Sequence, residues 1–288
     1  MAFPRDYNEL IQQCKDSLLA AHADGVMLQE VQFPVAGLDS VSGDQEGNAE
    51  TNRTVLYLRE LLDAYKRDGS QAATRVFFPD TVELALARGG AAASSDGVPA
   101  PDTAFQKGAF ADYPGPCTHV FEPNFLTISG LARLMNQHPL IERRTEPTDA
   151  RFVIAYPSQN LDELIEVAEL HERVARPGSK PIVVVMGEME RIRSGYYPSW
   201  WARSEMAKLL AFTPQFTQVY YIHNFKGANA AVLFRAYPGP FQVLLNTGEG
   251  GFVTLWTGNT FPGHRKVAVD ILPAALAERR AKDAARKR

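Results

Sequence analysis

Apolar residues along the chain follow helical spacing in some segments and short continuous runs in others. The first helical pattern begins after Asp6, with Glu9 three residues later as a capping partner, and ends at Gly25. Its apolar stripe consists of Leu10, Ile11, Cys14, Leu18 and Leu19. A second helix is predicted over 48–67. Its stripe is formed by Val55, Leu58, Leu61, Leu62 and Tyr65. Strands are predicted over 26–33 and 74–78, so helices and strands alternate.

The alternation is interrupted at 89–116, a segment rich in small residues and proline that predicts a long surface loop or an insertion. It resumes with two short apolar runs typical of buried strands, 151–156 and 181–186, and a helix over 161–174 between them. A further helix is predicted over 200–210. Four strands with short links then follow, over 218–223, 230–237, 241–246 and 252–257. A terminal helix is predicted from Leu272 onward.

These patterns predict one α/β domain over residues 1–288. Strands that alternate with helices favour a parallel sheet with crossover helices in the N-terminal part. Closely linked strands favour an antiparallel meander in the C-terminal part. The expected fold is therefore α/β with a mixed sheet.

Charge distribution and composition indicate which partners and compartments suit this chain. The formal net charge is −3, but the last eleven residues, 278–288, carry six cations and two anions. This basic tail is typical of a solvated helix end, and it also suits contact with an acidic partner or an anionic lipid surface. No apolar run approaches 18 residues, so we expect no transmembrane helix. We also expect no nucleic-acid partner. Cys14 and Cys117 lie far apart and predict reduced thiols.

Candidate catalytic chemistry is sparse, and we expect no cofactor, no resident metal and no catalytic residues. The acids of segment 43–50, Asp44, Glu46 and Glu50, favour the first turn of a helix over a phosphate-binding loop. Asp80 follows a predicted strand and is expected to cap the next helix. A metal-dependent hydrolase using Asp44, Glu46 and Asp80 stays open as a lesser hypothesis.

Two segments predict interaction surfaces. One, 187–201, places cations beside dense aromatic residues, and the other is a Tyr-Pro-Gly-Pro corner at 237–240 between two strands. Tyrosine, tryptophan and arginine are enriched among the residues that dominate binding energy at interfaces. The candidate partner-binding residues are Arg191, Tyr196, Tyr197, Trp200, Arg235, Tyr237, Pro238 and Pro240. The alternative is a nucleotide- or phosphometabolite-binding regulatory domain, in which Arg191, Arg193 and Arg235 would converge on one cleft.

Five stretches together resemble a plastid and cyanobacterial family described as a domain of unknown function. They are GDQEGNAETNRT (43–54), VFFPD (76–80), NLDELIEVAELHE (160–172), MERIRSGYYP (189–198) and LFRAYPGPFQVLL (233–245). The resemblance extends from about Tyr7 to about Leu276. The family includes the low-photosystem-II-accumulation assembly factor of chloroplasts and the region appended to a plastid adenylate kinase. The segment TGNTFPGHRKV (257–267) departs from the family's pattern, because it lacks an expected Arg-Pro-Thr turn.

The resemblance implies a non-catalytic protein of the chloroplast stroma, or of a cyanobacterial cytoplasm, that is peripheral to the thylakoid membrane. Its expected partners are subunits of a photosystem or another thylakoid complex. Its expected role is assembly or maintenance of that complex, or service as an auxiliary subunit. The basic tail at 278–288 would add a peripheral contact with the membrane.

Overall fold

Helices cover both faces of one mixed sheet in the computed structural model, which describes residues 1–41, 47–89, 108–121, 141–157, 161–197, 203–227, 230–248 and 251–286. The α-helices within these ranges are α1 (Tyr7–Ala23), α2 (Gly47–Leu61), α3 (Thr81–Ala87), α4 (Leu161–Leu170), α5 (Glu190–Arg193), α6 (Arg203–Phe212), α7 (His264–Lys266) and α8 (Leu272–Arg286). The strands are β1 (Leu28–Gln32), β2 (Thr74–Phe78), β3 (Cys117–His119), β4 (Arg151–Ala155), β5 (Ile182–Val185), β6 (Thr217–Phe225), β7 (Ala231–Ala236), β8 (Phe241–Asn246) and β9 (Phe252–Gly258).

The sheet has the strand order β3-β2-β4-β5-β1-β6-β7-β8-β9. All pairs from β3 to β6 are parallel, and the pairs from β6 to β9 are antiparallel. Strand β1 therefore lies between β5 and β6, with Leu28 opposite Ile182 and Val31 opposite Tyr220. This arrangement confirms the predicted α/β class, with its parallel N-terminal part and antiparallel C-terminal meander.

Helices α1 and α2 pack on the first face of the sheet. Every residue of the stripe predicted over 48–67 is buried, although α2 ends at Leu61 and a 3-10 helix, Leu62–Lys66, carries Leu62 and Tyr65. Leu10, Ile11, Cys14 and Leu18 of the α1 stripe are buried too, while Leu19 is half-buried. Helices α4 and α6 pack on the second face, where Ile165 and Leu209 contact the core around Phe152 and Val184. The apolar side of each helix, which recurs with the 3.6-residue period, is thus the side that packs on the sheet.

Segment 89–116 was predicted to be a long surface loop or an insertion, and its described part, 108–116, contributes Phe110, Tyr113 and Gly115 to the interior while Ala111, Asp112 and Pro114 are exposed. Phe110 is fully buried, and its ring lies 5.1 Å from that of Phe78 in an edge-to-face contact. Gly115 passes so close to the chain that a Cβ there would lie 2.5 Å from the carbonyl oxygen of Thr74. Small residues in this segment serve close packing as well as turns.

Candidate functional site

The chain leaves the neighbouring strands β1 and β5 in opposite directions. From β1 it crosses the first face through α2 to reach β2, and from β5 it crosses the second face through α5 and α6 to reach β6. In open α/β sheets such a switch point leaves a crevice beyond the carboxyl ends of the strands, where ligands bind. A cavity of about 290 Å³ occupies this position. Its lining includes Gln32 at the end of β1, Tyr156 after β4, Met186 and Glu188 after β5, and Thr51 of α2.

The backbone is unusual where β4 and β5 enter this cavity. Tyr156, Met186 and Glu188 have φ angles of 34°, 56° and 44°, values that residues other than glycine seldom adopt. Such conformations cost on the order of 1–3 kcal/mol each and concentrate at functional sites. Hydrogen bonds anchor two of these residues. Tyr156 Oη donates to Glu83 Oε2 at 3.0 Å, and the Glu188 amide donates to Gln32 Oε1 at 3.1 Å.

A second cavity of about 250 Å³ adjoins the first and shares Gln32, Val41, Glu188 and Arg191 with it. We call the two cavities together the switch-point cleft. The inner wall of the second cavity is formed by Glu190, Tyr221, His223 and His264.

The inner wall is a linked cluster of polar groups. Tyr221 Oη and His264 Nε2 share a hydrogen bond of 2.8 Å. The His223 and His264 rings stack with centroids 3.5 Å apart and an interplanar angle of 18°. The His264 amide donates to Glu190 Oε1 at 3.0 Å. The preceding residue, Gly263, has φ 74° and ψ 149°, a conformation that is essentially restricted to glycine.

Burial sets the protonation of this cluster. It lowers the pKa of His223 to about 4, and burial together with the adjacent His223 and Arg193 lowers the pKa of His264 to about 3. Both imidazoles are therefore neutral at neutral pH, which permits them to stack. Burial raises the pKa of the Glu190 carboxyl, although the His264 amide and Arg193 partly oppose the shift. The cleft wall thus contains a carboxyl group that ionises reluctantly beside two neutral imidazoles.

The two arginines of α5 have different surroundings. Arg191 is half-exposed at the rim of the cleft and forms an ion pair with Glu188. Arg193 lies beneath the cleft and makes a buried bidentate pair with Glu30 of β1, with Nη2–Oε2 at 2.6 Å and Nη1–Oε1 at 3.3 Å. Each cation is thus already paired with a carboxylate.

The predicted aromatic surface lies at this end of the sheet. Tyr196 is 74% exposed and lines the second cavity. Tyr197 is half-buried against the core on the second face of the sheet. Their rings meet edge to face with centroids 5.4 Å apart. Trp200 lies outside the described residues.

The Tyr-Pro-Gly-Pro corner lies at the opposite end of the sheet, where β6 begins. The Tyr237 amide donates to Val219 O, its hydroxyl donates to Asp24 Oδ2 at 2.7 Å, and its bond to Pro238 is cis. Pro238 and Pro240 are exposed. The seven predicted partner-binding residues that the structure describes therefore lie at two ends of the sheet and do not form one continuous surface.

Arg235 stabilises this corner from within. Its Nε donates to Gly239 O at 3.1 Å and its guanidinium lies 4.5 Å from the centroid of the Phe241 ring. Burial lowers its pKa. Of the three arginines expected to converge on a cleft, Arg191 alone lines the switch-point cleft, because Arg193 is committed to Glu30 and Arg235 to its own corner.

The predicted cap at Asp80 is confirmed, since Asp80 Oδ1 accepts hydrogen bonds from the amides of Val82 and Glu83 at 2.8 Å. Asp44 and Glu46 lie outside the described residues. Within the described ranges, no group of three or more histidine, cysteine, aspartate or glutamate side chains could hold a metal ion. The same ranges include no helix with the length and apolar character needed to span a membrane.

Sequence reasoning missed the inner wall of the cleft. His223 and His264 are 41 positions apart and match no ligand spacing, so their stacking depends on the fold. Glu190 and Tyr221 carried no local signal, since each belongs to an otherwise apolar or solvated pattern.

Fold and site together define an α/β protein with a polar cleft at the switch point of a mixed sheet. A family model described as a domain of unknown function, DUF1995, matches residues 4–269, and the chain belongs to that family. No curated protein and no solved structure matches the chain.

Proposed function

We propose that this protein is a non-catalytic accessory protein that docks on a photosynthetic membrane complex. It would act in the assembly or maintenance of a photosystem, or as an auxiliary subunit, in the chloroplast stroma or a cyanobacterial cytoplasm. The motifs that resemble the chloroplast assembly factor support this role and this location. The observation that carries the docking is the exposed Tyr196 beside Arg191 at the cleft rim, since both are residue types that dominate interface energies.

The distance between the two predicted surfaces makes the docking proposal specific. A partner of ordinary interface size covers about 800 Å² on each side, so it would engage one end of the sheet. We assign the docking to the upper surface, defined as Arg191, Tyr196 and Tyr197. The lower surface, defined as Tyr237, Pro238 and Pro240, is a rigid corner whose Tyr237 is tied to α1 through Asp24.

Paired variants test this assignment. The upper variant combines Arg191→Ser with Tyr196→Ser, and the lower variant combines Tyr237→Ala with Pro240→Ser. Leu210→Ser is the matched control, because Leu210 is an exposed apolar residue of α6 that belongs to neither surface. Each protein is incubated with solubilised thylakoid complexes and sedimented with them. We expect the upper variant to lose at least ten-fold in co-sedimentation while the other two retain it. Full co-sedimentation of a folded upper variant would contradict the assignment, and absence of binding by the unmodified protein would contradict the docking itself.

The basic tail supports an additional peripheral contact with the membrane. Helix α8 carries the exposed Arg280 and Lys282, and anionic headgroups attract such residues by about 1 kcal/mol per charge. Vesicles with and without phosphatidylglycerol test this contact. We expect binding only to the anionic vesicles, weakened by Arg280→Gln with Lys282→Gln. Equal binding to both kinds of vesicle would argue against the contact.

The second candidate, a ligand-binding regulatory domain, is favoured by the position of the switch-point cleft. Its charges do not suit the nucleotide or phosphometabolite suggested by the α/β pattern. Glu188 and Glu190 line the cleft, whereas Arg191 is paired with Glu188. Calorimetric titration with ATP and with inorganic phosphate tests this alternative, and saturable heat with either anion would favour it over docking alone.

A further inference from the structure

We propose that the second cavity of the switch-point cleft binds a cationic group, an alkylammonium or an alkylguanidinium, through Glu190. The proposal does not depend on the docking function, because it concerns the isolated protein. It rests on the burial of Glu190, on the commitments of the nearby charges and on the neutral groups that line the same cavity.

Glu190 is a cavity-lining carboxylate with incomplete hydrogen bonding. Its side chain is nine-tenths buried, with 10% of its surface exposed. Oε1 accepts the His264 amide, whereas Oε2 is buried and has no hydrogen-bond donor among the described residues. A buried acceptor without a donor costs free energy, and native structures rarely retain one without a reason. A donor entering the cavity would remove this cost.

The neighbouring cations do not fill that role. Arg193 Nη1 lies 4.0 Å from Glu190 Oε2, beyond hydrogen-bond distance, and both terminal nitrogens of Arg193 are bonded to Glu30. Arg191 pairs with Glu188. Glu190 is therefore the carboxylate in excess among these five charges. A negative charge left over in a buried site favours a cationic ligand over an anionic one.

The remaining lining suits a cation as well. His223 and His264 are neutral because burial lowers the pKa of each, so they add no positive charge. Tyr196 lies at the rim, where an aromatic face adds attraction for ammonium or guanidinium groups. The volume of about 250 Å³ accommodates a short alkyl chain with its charged head. Burial also raises the pKa of Glu190, a shift that a bound cation would reverse.

Agmatine is the first probe, titrated into the full-length protein and followed by calorimetry and by the imidazole resonances of His223 and His264. We expect saturable binding that shifts both resonances, and at least ten-fold weaker binding for Glu190→Gln. Glu278→Gln is the matched control, because it removes one exposed carboxylate on α8, and its affinity should not change. Inorganic phosphate should not compete.

Several outcomes would overturn the proposal. These are no binding of agmatine, binding that Glu190→Gln leaves unchanged, or binding that shifts neither histidine. If Glu190→Gln fails to fold, the resonances of the unmodified protein decide, since they report the position of the ligand without any substitution.

A second arm distinguishes the sources of such a cation. Acetyl-Ala-Arg-Ala-amide carries the same guanidinium within a peptide, as a partner protein would present it. Binding of both probes supports recognition of an arginine side chain, whereas binding of agmatine alone supports a free amine ligand. Failure of the docking experiment would leave this result unaffected, so the two proposals fail separately.

Discussion

Replacement of Arg193 by methionine should strongly destabilise the protein, because it leaves the charge of Glu30 buried without its partner. The two side chains are 9% and 1% exposed, and they share two hydrogen bonds. Arg193 also donates to Thr213 O from Nε at 3.2 Å and from Nη2 at 2.9 Å. Breaking a buried pair by removal of one partner typically costs about 3–5 kcal/mol. At about 2.1 cal/mol/K per residue, the unfolding entropy of 288 residues converts this loss into a Tm decrease of about 5–8 °C.

Urea denaturation at pH 7 and thermal melting measure the effect. The double variant Arg193→Met with Glu30→Leu is the decisive control, since it removes both charges. Gln218 Nε2 donates to Glu30 Oε2 and to Phe216 O, so it keeps one acceptor when Glu30 is replaced. We expect the double variant to recover most of the loss. A single-variant loss below about 1 kcal/mol, or a double variant less stable than the single one, would refute this reasoning.

Three further predictions concern the cleft and the caps. Asp80→Ala should cost about 1 kcal/mol in urea denaturation, because it removes both cap hydrogen bonds of α3, and a loss near zero would contradict the capping role. Gly263→Ala should destabilise by about 1–3 kcal/mol, since φ 74° with ψ 149° suits glycine and the new Cβ would lie 3.4 Å from Glu190 Oε1; unchanged stability would show that the backbone relaxes there. His223 and His264 should stay neutral by NMR at pH 5.5, and stability should decline as pH falls from about 6.5 towards 4, because the unfolded chain binds protons that the folded histidines reject. Titration of either ring near 6.5 would contradict their burial.

Periodicity predicted most helices and strands, because each helix packs one side on the sheet and the central strands are buried within it. Val55 and Leu58 fall on the same stripe of α2, and Val183 to Val185 form a continuous run because β5 is covered on both faces. Segment 108–116 was missed because Phe110 and Tyr113 reach the core from a chain without regular period. No local pattern marks such a segment as buried, since its packing depends on where the fold places it.

The candidate site was harder to predict than the fold for a related reason. The pattern of aromatic residues and prolines predicted Arg191 and Tyr196 as partner-binding residues; both are exposed, and their binding role stays a prediction. The same pattern grouped Tyr237 with them, although the strand order places it at the other end of the sheet. The charged sequence around Glu190 is typical of a solvated helix. The fold instead buries Glu190 and brings the distant His264 amide to its carboxylate.

The segment from Glu188 to Tyr197 links the cleft to the upper surface. Its short helix α5 directs Glu190 and Arg193 inward, to the cleft wall and to Glu30, while Arg191 and Tyr196 face outward at the rim. A partner on Tyr196 and a cation at Glu190 would therefore contact neighbouring parts of one segment, since both residues line the second cavity. Because coupling between two binding events is reciprocal, whatever change the cation makes in partner affinity, the partner must make in the affinity for the cation. If both proposals hold, the cleft and the upper surface form one recognition element, and the buried Arg193–Glu30 pair supports it from beneath.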